Sequence, residues 1–245
     1  MLLLGVGRAA GAAAGDANFA SVELLLGFEG ADAATSTTDE SPDARTITFT
    51  SNAQIDTAQF KFGSSSLLLD GTDDIVTAPD STDWDFTGQF TVECWFRTPS
   101  ITGSTGRTLI AKRNATSTNI SWDFGWAGGA TSSIFFQLST DGTNIAHNLS
   151  AAAAGLVAVD TWYHIAVDRD GSDKIRLYLD GVMKTSKAAA TGTPFNSTNA
   201  LSIGGRANTG QPHNGWIDEL RITRGVARYA SDGGFTPPSA AFPRS

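Results

Sequence analysis

The chain has 245 residues, of which 40% are hydrophobic and 17% charged, and its 25 acidic and 17 basic side chains leave a formal charge of −8. That length suffices for one large all-β domain or two small ones, and the acidic balance repels a phosphate backbone, so no nucleic-acid partner is expected. One cysteine and three histidines exclude an internal disulfide framework and a Cys-rich zinc cluster, and no apolar run approaches a membrane span.

In chain order, Met1-Leu2-Leu3-Leu4, Arg8 and an Ala/Gly run resemble a signal peptide only loosely, because no basic region leads them. Residues 1–19 read as a low-side-chain arm that orders only where a neighbour pins it. Val22 to Phe28 opens the period-two pattern and Ser65 to Leu69 continues it. Phe90 to Arg97 is the clearest strand, with Phe90, Val92, Cys94 and Phe96 on one face. Thr108 to Ala111, Ser121 to Trp126, Ser133 to Leu138, Tyr163 to Asp168, Lys174 to Leu179, Ala200 to Ile203 and Trp216 to Ile222 follow. Turn chemistry separates them at Asp70-Gly71, Asp141-Gly142, Asp170-Gly171, Asp180-Gly181 and Gly204-Gly205. Ala151 to Ala154 favour helix, but Gly155 and the β-branched residues beyond cut it short. About ten short strands without crossover helices predict an antiparallel two-sheet jelly-roll sandwich. The prolines at 237, 238 and 243 fit neither a helix nor a central strand, so residues 229–245 form an extended tail wrapping a surface. The expected organisation is thus an arm at 1–19, a jelly roll at 20–228 and a Pro-rich tail at 229–245.

Motifs in this order carry a resemblance. Phe62-Gly63-Ser64-Ser65-Ser66-Leu67 with Leu69-Asp70-Gly71-Thr72-Asp73-Asp74, then Phe90 to Phe96, resemble the opening strands of laminin-G-like, concanavalin A-like jelly rolls, the superfamily that includes pentraxins. Trp162-Tyr163-His164-Ile165-Ala166, Leu177-Tyr178-Leu179-Asp180-Gly181 and Gly215-Trp216-Ile217-Asp218-Glu219-Leu220-Arg221-Ile222 are similar to its later strands. Phe19 to Gly30 and Gly225-Val226-Ala227-Arg228-Tyr229 resemble laminin-G-like proteins of tailed bacteriophages. That resemblance implies a virion structural protein (capsid decoration, fibre or adhesin component) assembled in the host cytoplasm. Its arm and tail, projecting from the core, would bond it to other virion proteins as a homo-oligomer or lattice subunit, and a host-surface glycan is a possible ligand. The alternative is a carbohydrate-binding lectin or adhesin domain of a secreted or cell-surface protein.

Candidate chemistry is sparse. Laminarinase-type hydrolases of this superfamily carry an E-x-D-x-x-E strand, and nothing here matches it. Glu93 is a lone acid, and Asp218 and Glu219 are adjacent, hence on opposite faces. No catalytic residue is assigned and an enzyme is not expected. The regions where pentraxins hold calcium read Lys112-Arg113-Asn114-Ala115 and Gly205-Arg206-Ala207-Asn208, stripped of the carboxylates a hard cation needs. No metal site or cofactor is therefore assigned. Asp70, Asp73 and Asp74 could host a different cation, though a hydrophilic turn accounts for them. Asn114, Asn119, Trp126, Arg206, Asn208 and His213 are the candidate glycan contacts, offering a stacking ring and polar donors; Trp122 and Trp126 share parity with the core-facing Phe124. Cys94 is expected as an inert buried thiol and His164 as a hydrogen-bonded structural histidine. Trp95, Trp162 and Trp216 are expected to be buried. Asp218 has the parity of Leu220 and Ile222, which points it inward to a fold-holding bond or a structural calcium.

Overall fold

The computed structural model describes residues 15–103, 105–116, 118–208 and 210–245. Among them the strands in chain order are β1 (Val22–Leu26), β2 (Thr48–Thr50), β3 (Gln54–Asp56), β4 (Ser66–Asp70), β5 (Ile75–Ala78), β6 (Phe90–Arg97), β7 (Gly106–Lys112) and β8 (Trp122–Ala127). They continue as β9 (Thr131–Ser139), β10 (Ile145–Ala154), β11 (Tyr163–Arg169), β12 (Ile175–Leu179), β13 (Val182–Lys187), β14 (Leu201–Ile203) and β15 (Asn214–Arg224). Two antiparallel sheets result. Sheet A runs β13-β12-β11-β6-β15-β4-β3, with β1 beside the second half of β15; sheet B runs β10-β9-β8-β7-β14-β5-β2. This is the jelly-roll sandwich that the alternating pattern predicts.

The core lies between the sheets. Phe90, Val92, Cys94 and Phe96 of β6 face Trp122, Phe124 and Trp126 of β8 and Ile134, Phe136 and Leu138 of β9. Phe96 stacks on Trp126 with ring centroids 5.8 Å apart, and Phe90 meets Phe136 at 5.8 Å. Each such aromatic, truncated to alanine, costs about 3–5 kcal/mol. Cys94 lies in this apolar layer, and burial drives its thiol far above the usual range. The Asp180-Gly181 hairpin joins β12 to β13 with φ of 49° and 73°, which is why Asp followed by Gly stands there.

Several expectations change. Ala151 to Ala154 extend β10, because register against Ile134, Ser133, Ser132 and Thr131 of β9 outweighs their helix preference. Trp84, Trp122 and Trp126 are the fully buried tryptophans, and Trp162 and Trp216 stay partly exposed. Asp218 does not share the face of Leu220. A bulge between Asp218 and Arg221, with Glu219 at φ 47°, shifts the parity and sets Asp218 beside Trp95 on the outer face of sheet A. Its Oδ2 there accepts from the Lys61 and Phe62 amides at 2.7 and 3.1 Å, a fold-holding bond.

The tail wraps a surface, and that surface is the chain's own. Tyr229 stacks on Phe235 at 3.4 Å, and both rings stand edge-on to His164 and Tyr178 of sheet A. Phe242 is 3% exposed and packs with Val22 and Leu25. Arg244 pairs with Glu219 at 2.8 Å, while Asp16 pairs with Arg221 at 3.2 Å and Arg228 at 2.7 Å. The expectation of a tail projecting from the core is therefore corrected, since its bulky anchors are spent on sheet A. Residues 1–14 of the expected arm lie outside the described residues.

Candidate functional site

The two outer faces differ. Under the tail, Glu93 is fully buried and takes Arg221 at 2.9 and 2.7 Å and His164 Nε2 at 3.1 Å, with the Tyr229 hydroxyl closing the set. Burial opposes its ionisation, but Arg221, His164 and Tyr229 together hold the carboxyl well below the usual range. His164 is thus the structural histidine expected. Among the described residues, Glu93, His164 and Tyr178 lie beneath residues 229–235, and Trp95 and Asp218 beneath Lys61 and Phe62, so these groups are spent on the fold.

Sheet B is open. On β9, Ser133, Phe135 and Gln137 alternate with the core residues Ile134, Phe136 and Leu138 and so face outward. Register lines them up with their neighbours: Asp123, Gln137 and Asn148 form one cross-strand row, and Gly125, Phe135 and Ser150 the next. Gln137 donates to Asn148 at 3.4 Å. Gly125 leaves Phe135 without a side chain beside it, and a Cβ there would strike the Arg107 carbonyl of β7. Arg206 and Gln211 reach the same space from the segment after β14. These elements bound a groove of about 220 Å³ lined by Gly106, Ser133, Phe135, Gln137, Asn148, Ser150, Arg206 and Gln211. Its floor is therefore one aromatic ring, Phe135, of which 9% is exposed, amid amides and hydroxyls on rigid strands. It suits a ligand with an apolar face and a hydroxylated rim.

Arg206 is the sequence candidate that the groove contains. Its Nε and Nη2 bind Asp123 Oδ2 at 2.7 and 2.6 Å. Asn208 is exposed in the same loop at φ 63° but is not among the groove's lining residues. Asn114 lies where the two calcium-like regions meet, since Ala115 donates to the Ala207 carbonyl at 2.9 Å. The Asn114 amide oxygen serves a turn, accepting from Thr116 N at 3.0 Å. Asn119 binds Thr198 at 3.1 Å and ties two loops together. Trp126 and His213 are corrected, because both are fully buried and reach no ligand. The Trp126 indole donates to His213 Nδ1 at 3.3 Å, and burial lowers the His213 pKa to about 4, keeping the ring neutral. Of the polar lining, Ser133 and Gln137 with Phe135 take the outward parity of a strand legible in the sequence, whereas Asn148 and Ser150 lie on β10, for which the alternation gives no strand. Asp70, Asp73 and Asp74 do converge, but Asp74 already accepts the Asn52 and Asp70 amides at 2.7 Å each, as a turn requires.

A two-sheet antiparallel jelly roll with one sealed and one open outer face defines the class of protein. The family model of the Concanavalin A-like lectin/glucanases superfamily (Laminin_G_3) matches residues 70–228, and the chain belongs to that superfamily. No curated protein matches it by sequence. Among solved structures it is similar to the botulinum neurotoxin serotype D binding domain, with TM-score 0.61 and 15% identity over 85% of this chain and 49% of that one. The serotype D ligand binding domain in complex with N-acetylneuraminic acid gives TM-score 0.62 and 13% identity over 85% and 49%. The chain thus spans about half the length of these toxin domains. Domain 4 of AbnA, a GH43 extracellular arabinanase from Geobacillus stearothermophilus, in complex with arabinotriose, gives TM-score 0.55 and 16% identity over 89% of this chain and 95% of that one. At these identities the likeness is one of fold.

Proposed function

We propose that this chain is a non-catalytic glycan-binding domain displayed on the virion of a tailed bacteriophage. The observation that carries the binding half is the open groove on sheet B, where Phe135, 9% exposed, supplies the apolar floor and Gln137, Asn148, Ser150 and Arg206 supply hydrogen bonds. No acid is among its described lining residues, and the adjacent Asp123 is buried behind Arg206 and the Thr108 hydroxyl at 2.9 Å. That leaves no pair of carboxylates to flank a glycosidic bond. Relatives in fold whose names record a bound sugar, N-acetylneuraminic acid or arabinotriose, support the same reading. At about 220 Å³, the groove is smaller than the roughly 300–1,000 Å³ that enclose a drug-sized ligand, so it fits a short stretch of a longer glycan.

The virion half is supported by the phage-like sequence at Phe19 to Gly30 and Gly225 to Tyr229. Because the tail is fastened to its own sheet, contacts with other virion proteins would use its exposed side rather than Phe242 or Tyr229. A glycan array probed with the whole chain and with Phe135→Ala tests binding. Wild type is expected to capture a defined set of glycans that the variant loses, and capture of none would overturn the reading. Antibody labelling of purified particles tests display: label on particles is expected, and label confined to a producing cell's surface would favour the secreted or cell-surface lectin instead.

A further inference from the structure

We propose that the groove of sheet B prefers acidic glycans, whose carboxylate binds the guanidinium of Arg206; this rests on the glycan-binding reading above. The charge arrangement at the Arg206 end carries it. One buried carboxylate, Asp123, faces two arginines: its Oδ2 lies 2.6 Å from Arg206 Nη2 and 3.7 Å from Arg113 Nη1, while its Oδ1 takes the Thr108 hydroxyl at 2.9 Å. Arg113 finds otherwise only neutral acceptors, the carbonyls of Asn114 at 3.2 Å and Thr116 at 3.4 Å. Two positive charges over one negative leave a unit of positive charge at the end of the groove. Both guanidiniums are largely out of water, with 14% and 7% of the Arg206 and Arg113 side chains exposed. Burial and repulsion from Arg206 accordingly lower the pKa of Arg113.

Arg206 is the member of this trio that lines the groove, and its Nη1 has no partner among the described residues. Nε and Nη2 are committed to Asp123, which leaves Nη1 as the donor free for a ligand. A planar guanidinium so held is a preorganised donor for a carboxylate. The remainder of the protein carries net negative charge, so the attraction is local, and it fixes how the sugar lies. The acid sits at the Arg206 end while the ring lies on Phe135.

The test is a glycan array holding acidic glycans beside neutral counterparts of the same backbone, such as uronic acids and their methyl esters, with affinities then measured by calorimetry. Acidic members are expected to bind about 10–100-fold tighter than their neutral partners, the worth of one charge-assisted hydrogen bond. Arg206→Gln leaves one arginine against Asp123 and is expected to abolish that preference, whereas Arg206→Lys keeps part of it. Should either variant fail to fold, wild type decides: the preference is expected to shrink toward about 1 M salt, where screening shortens to about 3 Å. Equal binding of neutral and acidic partners, or a preference indifferent to both salt and Arg206, would overturn this inference and leave glycan binding intact. Binding of no glycan at all would overturn the binding reading itself.

Discussion

Sheet A covers the centre of its outer face with the chain's own C-terminal segment, whereas sheet B leaves its outer face open between β7 and β10. Both faces carry arginine, carboxylate and aromatic side chains on flat, rigid strands. On sheet A the groups close on one another: Glu93 with Arg221 and His164, Tyr229 with Phe235, Phe242 under Arg221. On sheet B the amides, the hydroxyls and an edge of Arg206 are left facing outward. The difference separates stability from recognition. A buried charge must find its partner within the fold, and only a face that folding does not consume remains for a ligand.

The largest effect should come from opening the sealed network. Glu93→Ala takes their shared carboxylate from the buried Arg221 and His164, leaving Arg221 only Asp16 at 3.2 Å, and is expected to cost about 3–5 kcal/mol, read by urea unfolding. Replacing both partners with methionine should recover most of that loss, because the penalty belongs to the unpaired charge. A single variant as stable as wild type would mean that this face is not sealed. Next, Phe242→Ala should cost about 3 kcal/mol, seen as a drop in Tm of several degrees for a chain of this length. No change in Tm would return the tail to the role of a free connector.

Acidity probes the sealed face of sheet A as well. Burial pushes the pKa of Asp218 up to about 7 and that of Asp168 up to about 6, whereas an unfolded aspartate titrates near 3.9. The folded protein therefore binds these protons more tightly than the unfolded chain does. Their stabilisation is complete below about pH 4 and is lost as pH rises through 6 to 7. Glu93 acts the other way, since its lowered pKa removes stability only as pH falls below the usual carboxylate range. Between pH 5 and 8 Asp218, Asp168 and Glu23, whose pKa burial likewise raises to about 7, lower stability as pH rises, while His213, with its pKa of about 4, opposes them below about pH 6.5. The net decline should be on the order of 2 kcal/mol, and Asp218→Asn should flatten the slope. A slope that Asp218→Asn leaves unchanged would contradict the burial of Asp218.

How much of this could be read from sequence depended on parity. Phe90 to Arg97 and Ser133 to Leu138 alternate cleanly, so their core faces were legible. The same alternation names the outward residues Ser133, Phe135 and Gln137, a signal present but passed over in favour of the aromatic Trp126. Asp218 was misplaced because a bulge at Glu219 is one residue of slippage that no alternation pattern reveals. β10 was missed because Ala151 to Ala154 carry no strand signal and become strand only through register with β9. The tail's attachment was invisible for a related reason: Glu93 and Tyr229 lie far apart in sequence, and only folding joins them.

The smallest effect on stability should arise at the open face, and its smallness is what makes it informative. Gln137 and Asn148 are held by the 3.4 Å bond between them and stand partly in water. Truncating either to alanine removes no core contact and leaves no buried polar atom unpaired, so stability should shift by no more than about 0.5 kcal/mol. Glycan capture should nevertheless weaken, because each loses a hydrogen bond of about 0.5–1.5 kcal/mol to the ligand, a few-fold change in Kd by calorimetry. Phe135→Ala should weaken capture more, since the ring is the groove's apolar floor. If Gln137→Ala instead destabilised the fold as strongly as Glu93→Ala, the row on sheet B would be structural after all and the contrast between the faces would vanish. If it altered neither stability nor capture, the glycan would have to lie elsewhere along sheet B.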